Sequence, residues 1–341
     1  MNKFLSFTTA LCVVLSMNAD AKIWRVNNTV GVQADFTTPN GAVAAATAGD
    51  TIHIEASSST YSSLTLNKRL VVRGAGYFLN ETTPNPKTQY LKTSADVSNL
   101  TLDLGSRGSI VEGLTITSSV LISDSFVTVQ RCYINYLYLS HNRNTASDTV
   151  RNNYIGGGIY VNNNTYKGQN LIFYNNIING SINITSTATP NFSGYFINNS
   201  FINTSGTHDC SNFIFQNNIF NVPNFGSYIL TNTFVNNIAS NSGIPSGNNN
   251  QLNVSMAAVY DGWSSGTGFS TDGRYKLKTG SPAIGAGILG GSAVDCGAFG
   301  GPAPYILSGM PSMPSIYDII MPTQVNSGTQ AINITVSAAA H

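Results

Sequence analysis

The feature of this 341-residue chain that most constrains its fold is a short apolar repeat interrupted by a polar pair. Each copy has an apolar run, a pair that is most often Asn-Asn, and a second short apolar run. Copies occupy residues 127–134, 148–155, 171–178, 195–202, 213–220 and 232–239. In these six copies the second position of the pair falls at Cys132, Asn153, Asn176, Asn199, Asn218 and Asn237, and the corresponding position of an earlier turn is predicted at Gly113, so successive turns lie 19 to 23 residues apart. This spacing is typical of solenoid coils and too short for a strand–helix–strand unit, which needs about 30 residues.

The polar pair has a structural explanation. A sharp bend between strands favours a residue that tolerates a left-handed backbone, and Asn does so better than most residues other than Gly. If coils stack about 4.8 Å apart, the Asn side chains also lie close enough to form a hydrogen-bonded ladder. Further apolar stretches at 100–104, 120–123, 136–140, 158–162 and 181–185 supply a third strand for each coil. We therefore predict an all-β fold in which parallel sheets enclose a narrow apolar core.

These residues resemble the right-handed, single-stranded parallel β-helix of the pectate-lyase-like superfamily, in its secreted bacterial form. An asparagine ladder between the second and third strands is frequent in that family, and the asparagines at the second position of the pair match it. Residues 36–61 and 275–300 also look like parts of such proteins, the latter being the closing coil. The resemblance implies a fold but no single activity, because the superfamily includes lyases, hydrolases, epimerases and non-catalytic proteins.

The order of segments predicts four parts. Residues 1–21 show the charged start, apolar stretch and small-residue end of a secretory signal peptide, which predicts a secreted or cell-surface protein. Residues 22–50 are expected to form an N-terminal cap with a short helix, for which Asn40 is the predicted N-cap. Residues 51–301 form the predicted β-helix. The Pro-punctuated tail at 302–341 ends in a strand, and it lies along the solenoid, covers its lower end or serves as a sorting signal.

The amino-acid composition limits the kinds of partner and cofactor that we expect for this chain. Only 9% of residues are charged, the net charge is +1 and basic runs are missing, so we expect no nucleic-acid partner. We expect no transmembrane segment, no cofactor and a monomer. Calcium needs six to eight oxygen ligands, and the clustered carboxylates of the calcium-binding pectate lyases are missing, so no metal site is predicted. Cys132, Cys210 and Cys296 are too scattered for a disulfide framework and are expected to be buried.

Alternation along the strands predicts which side chains face solvent. The first outward column contains Glu55, Asp103, Ser123, Ser140, Asn162 and Thr185, and the second contains His53, Thr101, Leu121, Tyr138, Tyr160 and Asn183. In this register the carboxyl groups of Glu55 and Asp103 lie about 5 to 7 Å apart, as glycoside hydrolysis needs. Glu55, Asp103 and His53 are therefore the candidate acid–base group, and a solvated polar face near the cap is the alternative.

The resemblance implies that a substrate lies along the outer face of the sheet that the family's first strands form. In this chain that sheet corresponds to the stretches between the polar pairs, at 100–104, 120–123, 136–140, 158–162 and 181–185. Tyr138 and Tyr160 offer flat rings beside the Asn162 amide, although β-sheets also favour tyrosine on exposed faces. On the loops that follow the third strands, His141, Arg143 and Lys167 are candidates for the base and the cation that a lyase needs. We interpret the chain as an exported protein that engages extracellular polysaccharide, with cleavage left open. The alternative is a non-catalytic surface, adhesive or structural β-helix.

Overall fold

The structure, a computed structural model, describes residues 21–81, 90–161, 165–185, 192–203, 206–263, 268–324, 327–328 and 331–340. In chain order its strands are β1 (Ile23–Val26), β2 (Thr51–Ile54), β3 (Leu64–Leu66), β4 (Val71–Arg73), β5 (Asp96–Leu102), β6 (Ile110–Glu112), β7 (Thr115–Ile122), β8 (Thr128–Gln130), β9 (Tyr133–Leu139), β10 (Thr145–Ala146), β11 (Thr149–Arg151), β12 (Tyr154–Val161) and β13 (Gly168–Tyr174). They continue with β14 (Ile177–Ile178), β15 (Ser181–Ile184), β16 (Phe192–Ile197), β17 (Ser200–Phe201), β18 (His208–Cys210), β19 (Phe213–Gln216), β20 (Ile219–Phe220), β21 (Thr233–Val235), β22 (Ile238–Ala239), β23 (Gly287–Leu289), β24 (Ser292–Val294), β25 (Ser315–Ile320) and β26 (Thr335–Ala339). The α-helices are α1 (Pro39–Ala45) and α2 (Met256–Val259), and short 3-10 segments lie at Gly226–Thr231, Gly273–Tyr275 and Leu307–Gly309.

Two long parallel sheets dominate the fold. Sheet A has the order β1-β2-β4-β6-β8-β11-β13-β16-β19-β21, with β10 also paired to β13. Sheet B has the order β3-β5-β7-β9-β12-β14-β17-β20-β22, with β15 paired to β12 and β18 paired to β15. The chain alternates between the sheets, and neighbouring strands within each sheet run parallel. The predicted all-β parallel β-helix is confirmed.

The predicted second and third strands of a coil are continuous in the middle of sheet B. β7, β9 and β12 each run through both stretches. A register shift marks the junction, for example between Ile155 and Gly158 in the pairing of β12 with β9. The chain therefore changes direction within one strand by an irregularity, without a separate turn.

The two residues of each polar pair have different environments. At the second position, Asn176 Nδ2 donates to Val150 O at 2.8 Å and to Asn199 Oδ1 at 2.9 Å. The same side-chain bond links, one coil after another, Asn153, Asn176, Asn199, Asn218, Asn237 and Asn250. At the first position the backbone is left-handed, with φ of +52° at Asn175.

Gly113 occupies this first position and not the predicted second one. Its φ is +73°, and its N–H donates to Arg131 O, which belongs to the residue at the first position of the next coil. Leu114 is therefore the equivalent of Cys132, as the parallel pairing of Thr115 with Tyr133 shows. The prediction was one residue out because this early coil has no polar pair to mark its turn.

The core lies between the two sheets. In the later coils Phe173, Phe196, Phe215 and Phe234 stack face to face, with centroid separations of 4.3, 4.8 and 5.1 Å. Parallel in-register strands place identical side chains above one another, so each coil extends the same apolar stack. As predicted, Cys132, Cys210 and Cys296 are buried and free.

The N-terminal segment contributes to the β-helix itself. β1 pairs with β2 at the edge of sheet A, inside the predicted cap region. Helix α1 buries Ala42 and Val43, and its N-cap is Thr38, whose hydroxyl accepts from Gly41 N. Asn40, the predicted N-cap, instead donates to Ser63 O and accepts from Thr65 N, because Pro39 takes the first helical position directly after Thr38. The capping role of α1 stays a prediction.

Residues 287–312, here called the strap, cross the coils along the turns that hold the polar pairs. Side chains at the first position of the pair bind the strap backbone: Asn217 donates to Ile288 O, Asn198 to Asp295 O, Asn175 to Ala298 O and Gly300 O, Asn152 to Ala303 O and Arg131 to Met310 O. The strap thus runs from the last coils back towards the first. The expected closing coil at 275–300 was wrong, since this segment adds no parallel strand to either sheet: it forms the antiparallel pair β23–β24 and a single antiparallel bridge between Leu277 and Tyr260. Beyond the strap, β25 and β26 form an antiparallel hairpin.

Candidate functional site

A continuous outward column follows the strands of sheet B. Its members, aligned by register, are Thr65, Thr101, Leu121, Tyr138, Tyr160, Asn183 and Asp209. The residues from Thr101 to Asn183 appear in the predicted order. His53 does not belong to it, because β2 lies in sheet A between β1 and β4.

Three tyrosines form an aromatic platform on this face. The ring centroid of Tyr160 lies 5.8 Å from that of Tyr138 and 6.0 Å from that of Tyr136. Tyr136 is exposed at 39%. Sequence reasoning missed Tyr136, although alternation places it on the same face of β9 as Tyr138.

Glycines in β12 make room for the platform. A Cβ on Gly157 would lie 2.5 Å from Cε1 of Tyr136. Gly158 has a φ of +131°, and a Cβ there would lie 2.4 Å from Ser181 O. Tyr160 Oη donates to Gly157 O at 3.2 Å. The Tyr136 and Tyr160 rings therefore occupy space that side chains at Gly157 and Gly158 would fill.

A charged pair borders the platform where the sheet B strands end. Arg143 Nε lies 3.9 Å from Asp103 Oδ1, and both side chains are partly exposed. Asp103 follows β5 and Arg143 follows β9, so Arg143 reaches back across the coil of β7. His141 and Lys167 belong to the same edge: His141 N–H donates to Ile122 O, and Lys167 O accepts from Thr145 N–H. The structure thus brings Asp103, His141 and Arg143 to one edge, beside Tyr138.

The predicted pairing of Glu55 with Asp103 was wrong. Glu55 follows β2, which belongs to sheet A, and Asp103 follows β5, which belongs to sheet B. The two residues therefore lie at the ends of strands in different sheets. Glu55 instead accepts from Arg25 Nε at 2.5 Å and Asn27 Nδ2 at 2.9 Å. Burial opposes ionisation of Glu55, but these hydrogen bonds outweigh it and lower its pKa. An ionised Glu55 in this setting is a poor proton donor.

His53 is also separated from Asp103. It lies on the outer face of sheet A between Arg25 and Arg73. Burial lowers its pKa, and the nearby Glu55 only partly opposes this effect. The predicted acid–base group of Glu55, Asp103 and His53 is therefore not assembled.

The first predicted column is also interrupted at Ser123 and Ser140, whereas Thr185 is partly exposed as predicted. Ser123 and Ser140 are fully buried and do not face solvent. Ser140 has a φ of +47°, which turns its hydroxyl inward to donate to Lys167 O at 2.8 Å. Asn162 lies outside the described residues.

Sheet A carries a polar column that the sequence reasoning missed. It is connected through side chains: Arg73 Nε donates to Glu112 Oε1, Gln130 Nε2 to Glu112 Oε2 and Arg151 Nε to Gln130 Oε1. Glu112 is only 1% exposed, and Ser312, the last residue of the strap, also donates to it. The available signal was a polar residue at the end of successive short apolar runs, at Arg73, Glu112, Gln130 and Arg151.

Within the described ranges, no cluster of three or more His, Cys, Asp or Glu side chains could hold a metal ion. Across the same ranges, no helix is long and apolar enough to span a membrane. Neither a protein-family model nor a curated protein sequence matches the chain. Among solved structures, a match is the crystal structure of pectate lyase Pel9A, with a TM-score of 0.40 and 15% identity over 84% of this chain and 98% of that chain. At this similarity, residue roles have to come from the geometry of this chain.

Proposed function

We propose that this protein is exported and binds an extended carbohydrate chain along the outer face of sheet B. The observation that carries the proposal is the platform of Tyr136, Tyr138 and Tyr160 on a glycine-lined part of that face. Export is supported by the signal-peptide pattern of residues 1–21, which lies almost wholly outside the described residues.

The chemistry of the platform suits a sugar. A sugar ring has a face of C–H groups that packs on an aromatic ring, and its hydroxyls need hydrogen-bonding groups beside that ring. The Tyr160 ring is followed in the column by the Asn183 amide and the Asp209 carboxylate. Successive coils lie about 4.8 Å apart, so a linear chain parallel to the solenoid axis contacts several coils at once.

A glycan array followed by calorimetry tests this proposal. We expect Tyr160→Ala to weaken binding about tenfold, equivalent to about 1.4 kcal/mol, because the central ring of the platform is lost. Tyr195→Ala is the matched control, since Tyr195 is an exposed tyrosine on sheet A. The proposal fails if no glycan binds, or if both variants bind as the unchanged protein does.

Cleavage of the bound chain is a second candidate, favoured by the charged pair at the platform edge. Asp103 or His141 would accept a proton, and Arg143 would neutralise a substrate carboxylate. The test is a screen of the binding glycans for unsaturated products and for new reducing ends. Whichever of Asp103→Asn and His141→Gln removes the base should abolish product formation while Tyr160-dependent binding persists; product formation by both variants would exclude these two residues as the base. Binding without products would assign the chain to the non-catalytic surface or adhesive class.

A further inference from the structure

A second concave site lies away from the platform, between sheet A and the strap. It has a volume of about 150 Å³ and is lined by Gln130, Arg131, Arg151, Asn152, Ala303, Pro304 and Ile306. The coils of β8 and β11 supply its polar wall, and the strap supplies the opposite wall. Asn152 Nδ2 holds the two walls together by donating to Ala303 O at 3.0 Å.

The two arginines of this site come from adjacent coils. The N–H of Arg131 donates to Arg151 O at 3.2 Å, so their backbones are direct neighbours. Arg131 Nη1 donates to Met310 O of the strap, and Arg151 Nε donates to Gln130 Oε1. Both side chains are thus held by neutral groups, and both line the same small pocket.

The positive charge of this pocket is not neutralised by the part of the chain that the structure describes. The ion pairs there join Arg25 to Glu55, Arg73 to Glu112 and Arg143 to Asp103. Glu112, the nearest carboxylate along the column, already accepts from Arg73, Gln130 and Ser312.

Two guanidinium groups in one partly buried pocket are costly without an anion. Burial lowers the pKa of Arg131; Glu112 opposes this effect and the charge of Arg151 adds to it. Guanidinium groups present parallel N–H donors that match the oxygens of phosphate or sulfate, and such charge-assisted bonds are strong. A bound divalent oxyanion would balance the two positive charges.

We propose that the pocket of Arg131 and Arg151 binds a small divalent oxyanion, phosphate or sulfate, either free or as a terminal ester. The site is separate from the tyrosine platform, because it lies on sheet A and the strap. It does not depend on the carbohydrate proposal.

Calorimetric titration with inorganic phosphate at constant ionic strength tests this site. We expect one equivalent to bind, and Arg151→Gln to weaken binding at least about tenfold. Arg69→Gln makes the same charge change at an exposed arginine outside the pocket and should change affinity by less than about twofold. A phosphate monoester is titrated in parallel. If the site takes a terminal ester, the monoester binds as tightly as inorganic phosphate; if the site takes only the free anion, the monoester does not bind.

Circular dichroism verifies that the variants fold. If Arg151→Gln does not fold, Arg131→Lys decides, since it retains the charge but loses the paired donors and should weaken binding several-fold. The proposal is overturned if phosphate and sulfate do not bind, or if Arg69→Gln weakens binding as much as the pocket variants. Glycan binding should be unaffected by Arg151→Gln, so the two proposals can fail independently.

Discussion

Replacing Asn176 by Ala should destabilise the protein more than any exposed asparagine substitution. Its fully buried side chain makes four hydrogen bonds. Two are donated, to Val150 O at 2.8 Å and Asn199 Oδ1 at 2.9 Å. Two are accepted, from the backbone and side-chain amides of Asn153 at 3.0 and 3.1 Å.

At about 1 kcal/mol for each buried hydrogen bond, the loss is about 4 kcal/mol. Asn176→Asp retains the volume but cannot donate, and it places a carboxylate against the Asn199 Oδ1 acceptor. We therefore expect Asn176→Asp to be at least as destabilising as Asn176→Ala at neutral pH, because an unpaired buried charge adds to the lost bonds. This comparison separates hydrogen bonding from packing.

Urea unfolding followed by circular dichroism provides the measurement, with the free energy taken from the midpoint and slope. Asn135→Ala is the matched control, because the Asn135 side chain makes a single bond, to Thr117 O at 3.2 Å, in a neighbouring coil. The control should cost less than about 1 kcal/mol. Equal losses of stability for Asn176→Ala and Asn135→Ala would refute the view that the ladder holds the coils together.

Three further outcomes are expected. Burial raises the pKa of Asp148 to about 7, so its stabilising contribution is complete below pH about 4 and is lost as pH rises through 7. Asp148→Asn should therefore reduce the fall in urea midpoint between pH 5 and pH 8. The contribution of Asp148 to the free energy of unfolding over the whole pH range is at most about 4 kcal/mol. An unchanged pH profile would contradict this. Gly157→Ala should weaken glycan binding at least about fivefold, because the new Cβ displaces the Tyr136 ring; it should also lower Tm, because the same Cβ would lie 2.9 Å from the backbone oxygen of Asn135. Binding equal to that of the unchanged protein, measured below the Tm of the variant, would argue against the platform. Asn175→Gly keeps the left-handed turn but loses both bonds to the strap, so limited proteolysis should cut the strap faster; an unaltered rate of cutting would count against this anchoring.

The repeat predicted the middle coils well because each strand there shows a clear alternation of apolar and polar residues. Alternation in β5, β7, β9 and β12 is local, so the outward column from Thr101 to Asn183 could be derived without knowing the pairing partners. The same signal placed Tyr138 and Tyr160 beside each other. Their tilt and the contribution of Tyr136 depend on the Gly157 backbone, which is a packing detail that alternation does not contain.

The first coils were misread because their strands are short and carry no polar pair. β3 and β4 have only three residues each. Without a marker for their turns, the predicted column places His53 next to Thr101, whereas His53 pairs with Arg73 and Thr101 pairs with Thr65. Because one coil was misplaced in the prediction, Glu55, which belongs to sheet A, was expected on the same sheet face as Asp103. An error of register in a solenoid therefore relocates a whole column of side chains.

The strap contacts were beyond sequence reasoning for a different reason. They join residues far apart in the chain, such as Asn152 and Ala303, and involve backbone acceptors that have no compositional signature. The side chains that reach the strap nevertheless lie at one repeated position, the left-handed first residue of the pair. One dipeptide therefore has two functions: its second residue binds the next coil and its first residue binds the strap.

Both candidate sites lie where the chain departs from this repeat. At Arg131 a guanidinium replaces the first asparagine, so that the contact with the strap becomes cationic and the oxyanion pocket forms beside it. At Gly157 and Gly158 the strand loses its side chains, so that tyrosines from two coils spread over its backbone. A regular coil needs neither change for stability, and glycine within a strand weakens it. Departures that cost stability and create an accessible chemical surface are expected at functional positions, which is why these two sites are the ones to test.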